Sequence, residues 1–315
     1  MIGKESPLDA VPQRPMHADQ LTVSRAAVRA LVDEQFPEWA RLPIRAVASE
    51  GTVNAIFRIG DRFAARFPLR GDDADTTRRM LVSEADAARE LAGSTPFQVP
   101  APVALGRPGP GYRLPWSVQT WLPGTTATED DPGSSAGFAH DLAELIADVR
   151  GIDTRGRTFS GHGRGGDLQS QDAWLETCFR HSQHLLDVPR LRRLWSGLRE
   201  LPHDAPDVMN HGDLIPGNVL VSGGRLVGVL DVGGLAPADP ALDLVGAWHL
   251  LDARTRPLLR DDLGCDDLEW ERSKAWAFAQ AMGLVWYYAD SNPSMSRLGR
   301  RTLDRLLEDE ATTRR

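Results

Sequence analysis

The sequence predicts an α+β protein in two lobes: a small antiparallel sheet with one helix, then a larger and mainly helical part. Three observations point there. The first third holds short β-type runs at 43–50, 54–59 and 62–68, with Gly60-Asp61 placed as a hairpin turn between the last two. From Gly124 the character changes to a polar stretch rich in Asp, Pro and Gly, followed by segments whose apolar residues recur at helical spacing. Within that second part, two alternating runs at 218–222 and 225–230 flank Gly223-Gly224, a hairpin signal among helices.

Taken in order, residues 1–20 read as a loose arm, 21–123 as the first lobe and 124–315 as the second, with the boundary near 122–126. A helix is expected over 23–36, where Val28, Leu31, Val32 and Phe36 share a face behind a cap at Thr22 or Ser24. After the strand runs, 77–92 reads as a helix with the stripe Leu81, Ala85, Ala88 and Leu91. Short strands follow at 103–106 and 116–122, the second ending at Pro123-Gly124. Helices are expected at 138–149, 172–186, 190–201, 240–251, 267–288 and 296–307. Trp174, Phe179, Leu185 and Trp195 fall on them at core spacing. The glycine-rich stretch 155–166 precedes no strand–helix unit and reads as a flexible loop.

Composition narrows the function. Of 315 residues, 41% are apolar and 25% charged, as in soluble globular chains. A net charge of −8 argues against a nucleic-acid partner and suits a cationic small molecule, although mild acidity also serves solubility. Cys178 and Cys265 lie far apart in no metal-ligand spacing and read as reduced thiols, and His162, His181, His184 and His203 form no ligand spacing either. The polar start carries no apolar signal core, and the longest apolar run, 275–289, contains Gln280 and falls short of the roughly 20 residues a membrane span needs. A cytoplasmic protein without membrane attachment is expected; oligomeric state is not legible. Only Lys4 and Lys274 are lysines, so any phosphate-gripping cation is an arginine.

The chemistry concentrates in 208–243. His211-Gly212-Asp213 is followed five residues later by Asn218, which opens the hairpin that Asp231 closes. Folding the hairpin back brings Asn218 and Asp231 together, with Asp213 nearby. An amide oxygen and a carboxylate are hard ligands for Mg²⁺ on a nucleotide, and a loop carboxylate can orient a hydroxyl and accept its proton.

The spacing H-x-D-x-x-x-x-N with an Asp after a hairpin resembles the protein-kinase-like fold. HGDLIPGNVL and GVLDVGGLAPADPALDL more fully resemble the catalytic loop and metal-binding segment of the aminoglycoside phosphotransferase family. That resemblance implies transfer of the γ-phosphate of ATP, with GTP as the alternative, to a hydroxyl. Asp213 would be the catalytic residue. Asn218 and Asp231 would hold Mg²⁺, and His211 and Asp243 would shape the loop. Arg66 stands where most members carry Lys, with Arg70 as the competing basic residue, and Glu84 (or Glu90) would pair with it. The turn at Gly51 would cover the phosphates, and Gln119, Thr120, Trp121 and Leu122 would line the base pocket in the nucleotide-binding first lobe. The acceptor would be an aminoglycoside. A macrolide, for which Trp174, Trp248 and Trp286 could supply an apolar pocket, or a small amino alcohol is the alternative. Arg66 in place of Lys and the single glycine at Gly51 also allow a nucleotide-binding module without transfer, which the intact Asp213, Asn218 and Asp231 oppose. A metal hydrolase built on His211 and Asp213 lacks further ligands.

Overall fold

The computed structural model describes residues 21–47, 53–71 and 73–313. The described chain clusters into two compact units. One holds the residues up to Leu81 together with Val103–Trp121; the other holds Val82–Pro102 and the chain from Leu122 on.

In the first unit, helix α1 (Arg25–Gln35) starts at Ser24, whose Oγ accepts from Ala27 N–H at 3.1 Å, and it buries Val28, Leu31 and Val32. Strands β1 (Ile44–Ala46), β2 (Asn54–Ile59) and β3 (Phe63–Pro68) form the expected meander. Helix α2 (Ala74–Ala92) follows, then β4 (Pro102–Gly106) and β5 (Trp116–Thr120). The sheet order is β1-β2-β3-β5-β4. Alternation sends Phe57, Ile59, Ala65, Phe67, Trp116 and Val118 into one core, where Phe67 stacks on Trp116 with centroids 4.8 Å apart. Arg66 lies between two of those core residues along β3, so its side chain leaves from the other face, in register with Ile56 and Ser117.

The second unit begins with the latter half of α2. Its Ala87, Ala88 and Leu91 join the large core, and Gln98 pairs by its backbone with Val227 and Val229. These contacts are why 82–102 clusters with this unit and not, as the sequence grouping had it, with the first. Strand β6 (Thr125–Thr126) leads to α3 (Ala136–Arg150), which Ser135 caps, then α4 (Asp172–His181) and α5 (Val188–Leu198). Two strands absent from the sequence reading, β7 (Val208–Asn210) and, further on, β10 (Ala236–Ala238), pair antiparallel. Between them lies the hairpin of β8 (Val219–Ser222) and β9 (Arg225–Val229).

The closing helices are α6 (Val245–Leu250), α7 (Arg256–Leu263), α8 (Asp267–Tyr287) and α9 (Pro293–Thr313). α6 starts five residues later than the expected 240–251 helix; in the turn before it the Asp239 side chain accepts Ala241 N–H, while the Asp243 carboxylate reaches away to His211 and Gly212. α8 is apolar on nearly every side, with Ala275, Trp276, Ala277, Phe278 and Met282 fully buried, and it is the centre about which α4, α5, α6 and α9 pack. Both cysteines are buried, and burial pushes each thiol up to about 11. No helix among the described residues is long and apolar enough to cross a membrane.

One buried ion pair ties this unit together. Arg272, on α8, meets Asp239 at 2.5 Å with both side chains under 5% exposed. Trp276 Nε1 donates to the same carboxylate, and Arg272 also donates to the carbonyls of Leu201, Pro202 and Gly166. Removing one partner leaves a buried charge uncompensated. Arg272→Leu is therefore expected to lower unfolding free energy by about 3–5 kcal/mol. Urea unfolding monitored by tryptophan fluorescence measures this, and an unchanged midpoint would show that the pair holds nothing.

Candidate active site

The hairpin forms as its residues dictate. Gly223 and Gly224 both adopt positive φ (59° and 70°), the two-residue turn that matches strand twist and that side chains resist. β8 and β9 pair from Ser222↔Arg225 to Val219↔Val229, and the ladder extends one step further, Leu230 N–H donating to Asn218 O at 2.8 Å. Asp231 comes next, with φ 55° and ψ 50°, a left-handed conformation that Asp tolerates better than most residues. It turns the chain out of β9 into a short 3₁₀ turn, Val232–Gly234, and is itself exposed.

Asp213 lies on the loop after β7. Its backbone is held from beneath: Asp243, fully buried, accepts His211 N–H at 2.6 Å and Gly212 N–H at 2.8 Å. Burial raises the Asp243 carboxyl above its usual range, a tendency that the neighbouring His211 and these two N–H bonds oppose. Asp243 N–H in turn donates to Asn210 Oδ1. The His211 ring bridges two segments. Asp213 N–H donates to Nδ1 at 3.3 Å, so Nε2 carries the proton and donates to Leu230 O at 3.0 Å, one residue before Asp231. His211 and Asp243 thus both bond to the backbone that carries Asp213.

Three side chains hold the Asp213 carboxylate. Asn218 Nδ2 donates to Oδ2 at 3.0 Å and to the Asp213 carbonyl at 3.0 Å. Gln280 Nε2 donates to Oδ1 at 2.8 Å, and Arg164 Nη2 approaches Oδ1 at 3.3 Å and the Gly212 carbonyl at 3.0 Å. A carboxylate oxygen takes about two donors. Oδ1 is filled by Gln280 and Arg164, whereas Oδ2 has one donor among the described residues and can accept another. Asn218 commits its NH₂ to Asp213, which leaves its Oδ1 as the free end of the amide. An amide oxygen and the Asp231 carboxylate suit a Mg²⁺ that keeps several waters and takes its other ligands from phosphates. Among the described residues no group of three His, Cys, Asp or Glu could hold a metal, and such an ion needs none.

Sequence reasoning missed Arg164 and Gln280. Arg164 belongs to the stretch read as flexible, yet that stretch is pinned. Arg157 pairs with Glu90 at 3.0 Å, Phe159 N–H donates to Asp207, Asp239 N–H donates to the Gly165 carbonyl, and Arg272 donates to that of Gly166. Gly165 has φ 113°, and a Cβ there would fall 2.5 Å from that of Ala238. The ion pairs of Glu90 with Arg157 and Arg155 also account for the alternative to Glu84. Glu84 itself lies against the turn after Asp231, its Cγ 2.6 Å from where a Cβ on Gly233 would stand.

In the first unit, Arg66 is nearly buried in mid-strand and Arg70 is exposed beyond the strand's end. Gln119 and Thr120 pair with Ala64 and Phe63. Trp121 N–H donates to the Arg62 carbonyl at 2.7 Å. Leu122 belongs to the second unit, and Gly51 lies outside the described residues. Of the aromatics, Trp248 is fully buried and bonded to Ser273, so it lines no pocket. Trp174, expected in the core, is 42% exposed because its indole lies over Gly283 on the outer side of α8.

The sequence model of the phosphotransferase enzyme family (APH) matches residues 44–278, and the chain belongs to that family, whose members are small-molecule kinases of protein-kinase-like fold. No curated protein matches the sequence. The structure of the GDP and kanamycin complex of APH(2")-IIia matches with a TM-score of 0.68 at 18% identity, covering 91% of this chain and 99% of that one. Aminoglycoside phosphotransferase APH(2'')-Ib, ADP-bound, matches at 0.57 and 16%, covering 88% and 97%. Macrolide 2'-phosphotransferase MphH from Brachybacterium faecium matches at 0.56 and 19%, covering 83% and 91%. At these identities the likeness concerns the fold, which is the α+β class expected.

The bracket under the Asp213 loop can be tested directly. Asp243→Ala strands two N–H groups, one buried and one half-buried, and the expected loss is about 2–6 kcal/mol of stability, at about 1–3 kcal/mol for each unsatisfied group. Thermal and urea unfolding measure it; a loss below about 0.5 kcal/mol would mean the loop does not rest on this carboxylate.

Proposed function

We propose that the chain transfers the γ-phosphoryl group of ATP, with GTP as the alternative donor, to a hydroxyl of a small-molecule acceptor, an aminoglycoside in the first instance. The observation that carries this reading is the Asp213 carboxylate, fixed by three donors with acceptor capacity left on Oδ2. Such an oxygen can orient an acceptor hydroxyl and take its proton as the oxygen bonds to the γ-phosphorus and the bond to the leaving nucleoside diphosphate breaks. Little else is asked of the base, because the transferred group is loosely bonded at the transition state and positioning dominates.

Asn218 and Asp231 would hold Mg²⁺, which when bound offsets negative charge on the phosphates. Arg66 would grip the phosphates in place of lysine. Its guanidinium stays charged and can contact two oxygens at once. Gln119 to Leu122 and the turn at Gly51 would complete the nucleotide site. Solved relatives in fold carry GDP or ADP, which supports a nucleotide donor.

For the acceptor, a net charge of −8 favours an amine-bearing molecule. A second reading, a macrolide-like apolar acceptor, has its own support. Exposed Trp174 packs over Gly283, one turn along α8 from Gln280, with its ring 5.9 Å from that of Trp286. That places an aromatic shelf within a turn or so of the residue touching Asp213.

ADP and GDP release measured against aminoglycosides, macrolides and small amino alcohols separates these acceptors. Asp213→Ala is expected to cut acceptor-dependent turnover by about 100-fold or more while calorimetry still reports nucleotide binding. Unchanged turnover would remove Asp213 from the reaction, and nucleotide binding without any acceptor-stimulated release would favour a binding module. Asp231→Asn keeps a side chain that tolerates the left-handed backbone and deletes the charge. Affinity for the Mg²⁺–nucleotide should fall about tenfold or more, with metal-free binding unchanged. Equal loss with and without Mg²⁺ would contradict a metal role.

A further inference from the structure

We propose that Gln280 is a positioning residue for Asp213, and that a buried relay from α9 through α6 sets the orientation of its amide. The proposal rests on the reading of Asp213 as the residue that meets the acceptor hydroxyl. Four elements contribute one group each. Thr302 on α9 lies 2.8 Å from His249 Nδ1 on α6; His249 Nε2 lies 3.1 Å from Gln280 Oε1 on α8; and Gln280 Nε2 lies 2.8 Å from Asp213 Oδ1.

The chemistry of the acceptors leaves one assignment of protons. A carboxylate only accepts, so the end of the Gln280 amide facing Asp213 must be its NH₂. Its oxygen then faces His249, so Nε2 must donate. Nδ1 of a neutral ring is left as an acceptor, and the Thr302 hydroxyl donates to it. Every bond in the chain thus points toward Asp213, an arrangement in which successive hydrogen bonds polarise one another.

The ring is kept neutral. His249 and Thr302 are fully buried, and burial, with the charges of Arg164, Arg305 and Arg301, pulls the imidazole down to about 3. The relay therefore holds one protonation state across the neutral range. None of its three members lies in the H-x-D-x-x-x-x-N segment.

What the relay does follows from the two carboxylate oxygens. With Oδ1 occupied by Gln280 and Arg164, the carboxylate cannot rotate about its Cβ–Cγ bond without breaking those bonds. Oδ2 is then the oxygen presented to the acceptor. Removing the Gln280 donor leaves Arg164, at 3.3 Å, to hold Oδ1 and loosens that restraint, and a misplaced base slows transfer more than it weakens binding.

The test uses Mg-ATP with water as the acceptor, read as phosphate release, so that it needs no identified substrate. Gln280→Met keeps the bulk and deletes the donor; kcat should fall about 10- to 100-fold while KM for Mg-ATP stays within about twofold. His249→Leu should lower kcat less, and the double variant should be no slower than Gln280→Met alone, because His249 acts only through Gln280. If His249→Leu does not fold, Thr302→Val, which removes the terminal donor at constant shape, takes its place in the cycle.

A purely structural role would shift melting temperature and leave additive effects on kcat. Additive effects would overturn the relay. Wild-type kcat in Gln280→Met, with Asp213→Ala inactive, would overturn the positioning role and leave the base assignment intact. Wild-type rates in Asp213→Ala would overturn the base assignment itself.

Discussion

The structure depends on one buried carboxylate binding two backbone N–H groups. Asp243 reaches back across the sequence to His211 and Gly212 and fixes the main chain from which Asp213 projects. Placing a fully buried acid there carries a desolvation penalty, as its raised carboxyl shows. Yet the two N–H groups would be costly without it. The arrangement couples elements that share no strand or helix: β7, the segment before α6 and, through the His211 ring, the end of β9. The loop that carries Asp213 is thereby bonded to the core beneath it.

Around Asp213 the donors come from three distances in sequence. Asn218 is local, Arg164 lies 49 residues before it and Gln280 lies 67 after it. The local partner is enough to recognise the loop, and the distant ones are what restrain the carboxylate. This bears on the alternative of a nucleotide-binding module without transfer. A binding-only protein has no physical use for a carboxylate clamped on one oxygen and open to a hydroxyl on the other, whereas an arginine in place of lysine at position 66 leaves charge and hydrogen bonding in kind.

What was legible in the sequence follows from the same contrast. The hairpin could be read because Gly223-Gly224 and period-two alternation are local, and the closeness of Asp213 and Asn218 because they share one short stretch. Ser24 and α1, and the stripe of α2, could be read for the same reason. Gln280 was unreadable as a site residue, since a lone glutamine in the apolar run of α8 carries no pattern and its meaning comes from α6 and α9 packing beside it. The stretch 155–166 looked flexible because glycines dominate it, but flexibility is lost to bonds from Glu90, Asp207, Asp239 and Arg272, each remote in sequence. β7 and β10 have three residues each, too few for any periodicity. α6 came out short because the turn before it is shaped by Asp239, whose side chain accepts Ala241 N–H, and by Asp243, which reaches a loop remote in sequence.

The pairing of β8 with β9 carries an irregularity with a consequence of its own. Val221 faces Leu226 but Leu220 faces Gly228, so Val227 is an extra residue on one strand. Because strand faces alternate with period two, that single insertion decides which residue stands opposite Asn218: Leu230, and not Val229. The insertion is held open by Gln98, whose N–H donates to the Val227 carbonyl and whose carbonyl accepts the Val229 N–H, and a Cβ on Gly228 would come within 2.9 Å of that carbonyl. The spacing between the two proposed metal ligands is therefore written partly in a backbone 120 residues upstream of Asn218. The hairpin's turn is set by its own two glycines, whereas its register at Asn218 is bonded to that earlier segment.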